Sequence, residues 1–337
     1  MREPRFWQAR FSPSSLLLLP FAVIYGQIAA GRMQQDGIEA GVPVICVGNY
    51  HMGGAGKTPT TLALVERLRR LGETPIVLSR GYGGRLHGPI EVDPSHHTAA
   101  DVGDEPLMMA TRVPVVVARE RIDGAALARA RGASVIVMDD GFQNPALIKH
   151  LSLIVIDARR GLGNGRGFPA GPLRAPLRLQ IERTDALVVI GDGNAADEIA
   201  TRISDQGGAV LRARLVPDAA ALETLRGRRV LAFAGIGDPA KFFATLRDGG
   251  VDVAAERAFA DHHAFKPEEL QELAAIAKRD RLTLVTTEKD LARLGAAAST
   301  LGVEVMTLPV KLSFDDEPVL RLLLLDRINA VKAKARS

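Results

Sequence analysis

The sequence predicts an α/β protein: a parallel sheet flanked by helices, a second and smaller α/β lobe, and an apolar helix near the N-terminus. Three observations carry that expectation. Apolar, β-branched runs of strand length alternate with stretches of helical periodicity from residue 44 onward. A glycine-rich turn joins the first of those runs to the first long helix. A fresh strand-and-helix series opens at Arg229, after a weaker stretch over 191–228. These shifts divide the chain into an N-terminal helical region (1–35), a larger domain (36–215), a smaller lobe (216–312) and a C-terminal helix returning to the core (313–337).

The first element is an apolar run over 16–30, flanked by Arg2, Arg5, Arg10 and Arg32. Its length of about fifteen residues, interrupted by Pro20, Gly26 and Gln27, falls short of the roughly twenty that cross a bilayer. No small-residue cleavage site follows it, which disfavours a secretory signal. Two readings stay open: a helix lying on an anionic membrane surface with arginines among the headgroups, or an ordinary core helix. Periodicity does not decide between them in so short a run.

A buried strand beginning at Val44 then runs into Gly53, Gly54, Ala55, Gly56, Lys57 and Thr58, followed by a helical pattern over 60–70. This is a phosphate cradle on a P-loop NTPase-like sheet. Glycines let backbone N–H groups converge on phosphate oxygens, and the helix N-terminus adds its positive dipole. Lys57 is placed to reach the β- and γ-phosphates, and the Thr58 hydroxyl to reach Mg²⁺. The usual spacing asks for glycine five residues before Gly56, where this chain has His51. The expectation is an enzyme that uses ATP and Mg²⁺.

Strands follow at 75–79, 113–118, 134–139, 151–157 and 186–190, with helix between them, as at 122–131. Ligands gather beyond the carboxyl ends of such strands. Asp139 and Asp140 end the third of them, where a carboxylate can hold Mg²⁺ directly or through water. Asp104 and Glu105 sit in an acidic turn after Gly103. Phosphoryl transfer to a hydroxyl needs a proton acceptor, which makes Asp104 a candidate base. Arg80 and Tyr82, in a glycine turn after Ser79, are candidates for contacting an anionic substrate, as is Arg174 at the end of a proline-rich loop.

The weaker stretch includes a short strand at 209–216; the smaller lobe then reads as strands at 229–234, 282–286 and 303–310, with helices at 240–247 and 267–279. It adds Asp261, His262 and His263 in a turn, without the spacing of a zinc site. Two lobes imply a cleft between them. Composition agrees with a two-domain globular chain: 337 residues, 47% hydrophobic and 24% charged. The single cysteine, Cys46, lies in the first strand and reads as a small buried hydrophobe; an internal disulfide is impossible. At a net charge of +4, no nucleic-acid partner is expected.

Eight segments in order resemble the tetraacyldisaccharide 4′-kinase (lipid A 4′-kinase) family: Gly48-Asn49 with Gly53 to Pro59, Ser79 to Gly84, Gly103 to Pro106, Asp139 to Gln143, Phe168 to Arg174, Phe233 to Pro239, Asp261-His262, and Thr286 to Asp290. The resemblance covers nearly the whole chain, and the family shares the missing first glycine. It implies an ATP-dependent lipid kinase that phosphorylates the 4′-hydroxyl of tetraacyldisaccharide 1-phosphate to give lipid IV-A, with no required protein partner. A substrate with four acyl chains stays in its bilayer, so the resemblance also implies a peripheral or monotopic place on the cytoplasmic face of the inner membrane. This favours the interfacial reading of the N-terminal helix. Carried over by position, Lys57 and Thr58 serve phosphates and Mg²⁺, Asp139 and Asp140 the metal, with Glu105 assisting. Asp104 and His262 form the proton-accepting pair. Asn144 and Ala175 depart from the family pattern, which often has His and Glu there, so roles at those positions lapse.

Two other classes compete. A membrane-associated switch ATPase that binds protein partners needs a second lysine before the glycine pair, where this chain has Met52. A soluble metabolite kinase or ligase on the same fold leaves the N-terminal apolar run without a task.

Overall fold

A computed structural model describes residues 4–334. Arg2 and the extreme ends of the first and last expected regions lie outside the described residues. Helices α1 (Pro13–Leu17) and α2 (Leu19–Met33) lead into β1 (Val44–Gly48). The larger lobe continues through α3 (Lys57–Arg70), β2 (Pro75–Ser79), β3 (Ile90–Glu91), α4 (Ala99–Val102), α5 (Asp104–Ala110), β4 (Val115–Val117) and α6 (Arg121–Ala130). Next come β5 (Val135–Asp139), β6 (Leu151–Asp157), α7 (Leu177–Glu182), β7 (Ala186–Ile190), α8 (Asp197–Asp205) and β8 (Ala209–Pro217). The smaller lobe holds α9 (Ala219–Leu225), β9 (Arg229–Ala234), α10 (Pro239–Asp248), β10 (Asp252–Ala258), α11 (Pro267–Asp280), β11 (Thr283–Thr286), α12 (Glu288–Leu294), α13 (Ala297–Thr300) and β12 (Val305–Thr307). The chain ends in β13 (Val310–Phe314) and α14 (Glu317–Lys334).

Nine strands form one sheet in the order β13-β8-β7-β6-β1-β5-β2-β4-β3, and four form a second, β10-β9-β11-β12. The small sheet is parallel throughout; the large one is parallel except at its edges, β13 and β3. Every residue of β1, β2, β5 and β7 is buried. Those strands read as unbroken apolar runs because both faces of a parallel sheet are covered. β1 lies between β5 and β6: the chain leaves β1 toward β2 on one side and later crosses from β5 to β6 on the other, so a crevice opens beyond the carboxyl end of β1. The phosphate loop begins there.

Packing holds that crevice in place. On α3, Leu64, Val65 and Leu68 are fully buried against the sheet, each contributing about 1.5–3 kcal/mol relative to exposure. α14 returns to the same cluster through Leu320, Leu324 and Ile328, spaced one helical turn apart.

The stretch 303–310, expected as one strand, is two. Pro309 lacks the N–H that would continue the ladder, and β13 beyond it leaves the small sheet to pair antiparallel with β8. The weak stretch over 191–228 contains α8, β8 and α9. At the N-terminus only Ala22 and Met33 of α2 are buried, while Leu17, Phe21, Ile24 and Ile28 are 78%, 61%, 57% and 61% exposed. Among the described residues no helix is long and apolar enough to cross a membrane.

Candidate active site

The phosphate loop is built by close approach. Gly56, the N-cap of α3, stands at φ +88°, and a Cβ there would lie 2.6 Å from Ile190 Cδ1. Only glycine takes that position without strain. Asn49 Nδ2 donates to the Gly53 carbonyl at 3.1 Å, Met52 N–H to the Pro172 carbonyl at 2.9 Å, and Gln143 Nε2 to the Asn49 carbonyl at 2.8 Å. Pro59, in the first turn of α3, removes a donor that has no intrahelical partner anyway. His51, at the missing glycine, is buried and bridges to Leu173; burial and then the cations of Lys57, Arg174 and Arg160 push its pKa down to about 3. It is therefore a neutral imidazole. Its Nδ1, like Asn49 Oδ1, is buried without a protein partner.

β5 delivers Asp139 and Asp140 beside the loop. Asp139 is buried and accepts from Thr61 Oγ1 at 3.0 Å. Burial raises its pKa first, and the charges of Glu105 and Asp140 raise it further. Asp140, at φ +51°, accepts from Arg174 Nη1 at 2.7 Å and faces Lys57 Nζ at 3.6 Å. Burial opposes its ionisation, but Lys57 and Arg174 hold its carboxyl below the usual range. For Glu105 too, burial is outweighed, here by the charges of Lys289 and Lys57.

Crowded carboxylates that disfavour one another's ionisation form the electrostatic setting a divalent cation relieves. Among the described residues no three His, Cys, Asp or Glu side chains converge as a ready metal cage. Mg²⁺ takes one or two carboxylates directly and fills its remaining positions with waters and phosphate oxygens.

The smaller lobe closes over this edge. A Cβ on Gly237 would lie 3.9 Å from Gly54 N, and Lys241 Nζ reaches Asp157 Oδ2 at 3.0 Å. His262 Nδ1 meets Asp104 Oδ2 at 3.1 Å, so the acidic first turn of α5 and the histidine turn after β10 form one pair across the cleft. Burial would raise the Asp104 pKa, but hydrogen bonds from His262 and Arg293 hold it well below the usual carboxylate range. The same bond to Asp104 raises the His262 pKa against burial. The Tyr82 ring, 74% exposed, lies 5.9 Å from the His262 ring. His263 points elsewhere, bonding Glu269 at 2.8 Å and stacking on Phe259.

Sequence reasoning gave no role to α12. Lys289 pairs with Glu105 and Arg293 with Asp104, while Arg112, just after α5, pairs with Glu288. The available signal was two cations one helical turn apart directly after a strand end. Arg80 is exposed at the end of β2, whereas Arg174 is committed to Asp140. Of the two departures from the family pattern, Asn144 caps its own turn by accepting from Ala146 N–H at 2.9 Å, and Ala175 is buried.

The profile of the tetraacyldisaccharide-1-P 4′-kinase family matches residues 14–329. The tetraacyldisaccharide 4′-kinase of Rhodopseudomonas palustris (strain HaA2) is 70% identical over 337 residues, covering 100% of both chains. The protein of the same name from Bradyrhizobium diazoefficiens is 61% identical over 337 residues, covering 100% of this chain and 98% of its own. A crystal structure of LpxK from Aquifex aeolicus in complex with ATP matches with a TM-score of 0.73 at 27% identity, covering 94% of this chain and 99% of that one.

Proposed function

The chain belongs to the tetraacyldisaccharide-1-P 4′-kinase family, and from that premise we propose how its residues divide the work. The protein is an ATP-dependent lipid kinase of lipid A biosynthesis that phosphorylates the 4′-hydroxyl of tetraacyldisaccharide 1-phosphate to give lipid IV-A. The observation that carries the division is the Asp104–His262 pair, which bridges two lobes at the phosphate loop.

Gly53, Gly54, Ala55 and Gly56 shape the phosphate cradle, and Lys57 places its ammonium where charge builds on the transferred group. Thr58, Asp139 and Asp140, with Glu105, would hold Mg²⁺, which when bound supplies positive charge to the phosphate oxygens. Asp104 orients the imidazole through Nδ1, leaving Nε2 to accept the proton of the 4′-hydroxyl. Tyr82 lines the acceptor side beside His262, and Arg80 offers an exposed cation to the anionic disaccharide. Arg174 serves the phosphate side of the cleft, where it pairs with Asp140.

The N-terminal helices give the enzyme its place on the cytoplasmic face of the inner membrane. On α2, Phe21, Ile24 and Ile28 fall on one stripe at helical spacing, Leu17 is exposed at the end of α1, and the exposed Arg5, Arg10 and Arg32 flank them. A substrate anchored by four acyl chains is reached along that surface. The test incubates the full chain with γ-labelled ATP and tetraacyldisaccharide 1-phosphate in detergent micelles. Label entering lipid, abolished by Lys57→Ala, supports the reading; ATP hydrolysis without lipid labelling overturns it.

A further inference from the structure

The Asp104–His262 pair is held from outside itself. Asp104 Oδ2 accepts from His262 Nδ1 and from Arg293 Nη2, while Oδ1 accepts from the Glu105 backbone N–H at 3.0 Å. Arg293 Nη1 in turn donates to Asp290 Oδ1 at 2.7 Å and to the Gly235 carbonyl at 3.2 Å. That same carbonyl accepts the backbone N–H of His262 at 3.1 Å. One guanidinium therefore touches the carboxylate of one partner and the peptide oxygen that anchors the other.

Both partners need such a hold. Asp104 is only 6% exposed, and a buried carboxylate on a soft terminal torsion keeps neither its charge nor its plane without a fixed counter-charge. His262 stands at φ +55°, a left-handed conformation uncommon for a non-glycine residue. A planar guanidinium fork fixes direction as well as charge. Its own orientation is set by Asp290, fully buried, which also accepts from Gly235 N–H at 3.1 Å and Thr287 Oγ1 at 2.8 Å.

We infer that Arg293 is the positioning residue of the proton-accepting pair, so that docking of α12 on α5 assembles the base. This rests on the reading of Asp104 and His262 given above. A purely structural role makes a different prediction, because the Lys289–Glu105 and Arg112–Glu288 pairs also join these segments. Arg112 touches neither member of the pair, so Arg112→Gln serves as the docking control.

The experiment measures kcat, KM for ATP and the melting temperature of the full chain for Arg293→Gln, Arg293→Lys, Arg112→Gln, Asp104→Asn and the double variant Asp104→Asn/Arg293→Gln. It also follows the His262 imidazole by ¹⁵N-detected NMR. Arg293→Gln is expected to lower kcat by about tenfold or more with KM for ATP within about twofold, and to shift the His262 resonance. Arg293→Lys should recover part of that loss, and Arg112→Gln should leave kcat unchanged. In the double variant, removing Arg293 should cost less than about twofold beyond Asp104→Asn, because its effect runs through that carboxylate. If Arg293→Gln does not fold, Arg293→Lys decides: reduced kcat at unchanged melting temperature supports the role, and wild-type kcat overturns it. Wild-type kcat with an unmoved His262 resonance in Arg293→Gln, or full additivity in the double variant, also overturns it. Full activity in Asp104→Asn instead overturns the reading of the pair itself, a distinct result.

Discussion

The phosphate loop and the Asp104–His262 pair meet at one cleft and are built in opposite ways. The loop is local: six consecutive residues, Gly53 to Thr58, running from the turn after β1 into the first turn of α3 and shaped by glycine geometry and the end of one helix. The pair joins two residues 158 positions apart, on different lobes, and it exists only while α12 and the turn after β10 are docked. A local site is specified by backbone conformation, and a composite site by the packing of elements that each need their own support. The loop should therefore break through strain or lost charge within it, and the pair through distant residues as well.

Lys57→Ala tests the loop most severely. Removing its ammonium should lower kcat by about 10³-fold in a labelled-ATP assay, the scale of losing a principal electrostatic stabiliser. In the composite pair, His262→Ala should cost about 10²-fold in kcat. His263→Ala should cost less than about threefold, since His263 faces Glu269 and Phe259. The reverse ranking would place the base on the wrong histidine. Gly56→Ala should destabilise the fold by about 1–3 kcal/mol, through positive φ and the Ile190 contact, and raise KM for ATP; thermal melting with ATP titration checks both.

A subtler contrast lies in pH. His262 must be neutral to accept a proton, and its pKa is raised above the ordinary 6.5, first by the hydrogen bond to Asp104. The acid limb of kcat/KM should thus lie above pH 6.5, and Asp104→Asn should move it downward. The sign for stability is opposite: the raised pKa stabilises the fold fully below 6.5, and that contribution is lost as pH rises through the folded value. Outside the cleft, Phe21→Asp combined with Ile24→Asp should weaken sedimentation with anionic vesicles by about tenfold or more while leaving kcat in micelles near wild type.

The same contrast explains what the sequence made legible. Buried parallel strands are continuous apolar runs, so β1, β2, β5, β6 and β7 were readable, β2, β6 and β7 with both ends. Asp139 and the phosphate loop came with them, because strand ends and glycine turns are sequence-local. The pairing of Asp104 with His262 was not readable from spacing and came from resemblance, since nothing local states which turns meet across a cleft. Lys289 and Arg293 were missed for that reason: on an isolated helix two cations one turn apart look like a solvated face. Pro309 was the readable mark of the break between β12 and β13, but the transfer of β13 to the other sheet depends on an antiparallel partner 93 residues earlier, as in the Val310–Pro217 pairing.

The most direct measurement takes one variant, His262→Ala, and reads two quantities on the same preparation: equilibrium binding of ATP, and transfer of the γ-label to tetraacyldisaccharide 1-phosphate. If the local loop binds phosphate while the composite pair takes the proton, ATP affinity stays within about twofold of wild type and transfer falls by about 10²-fold. Transfer at the wild-type rate would contradict it.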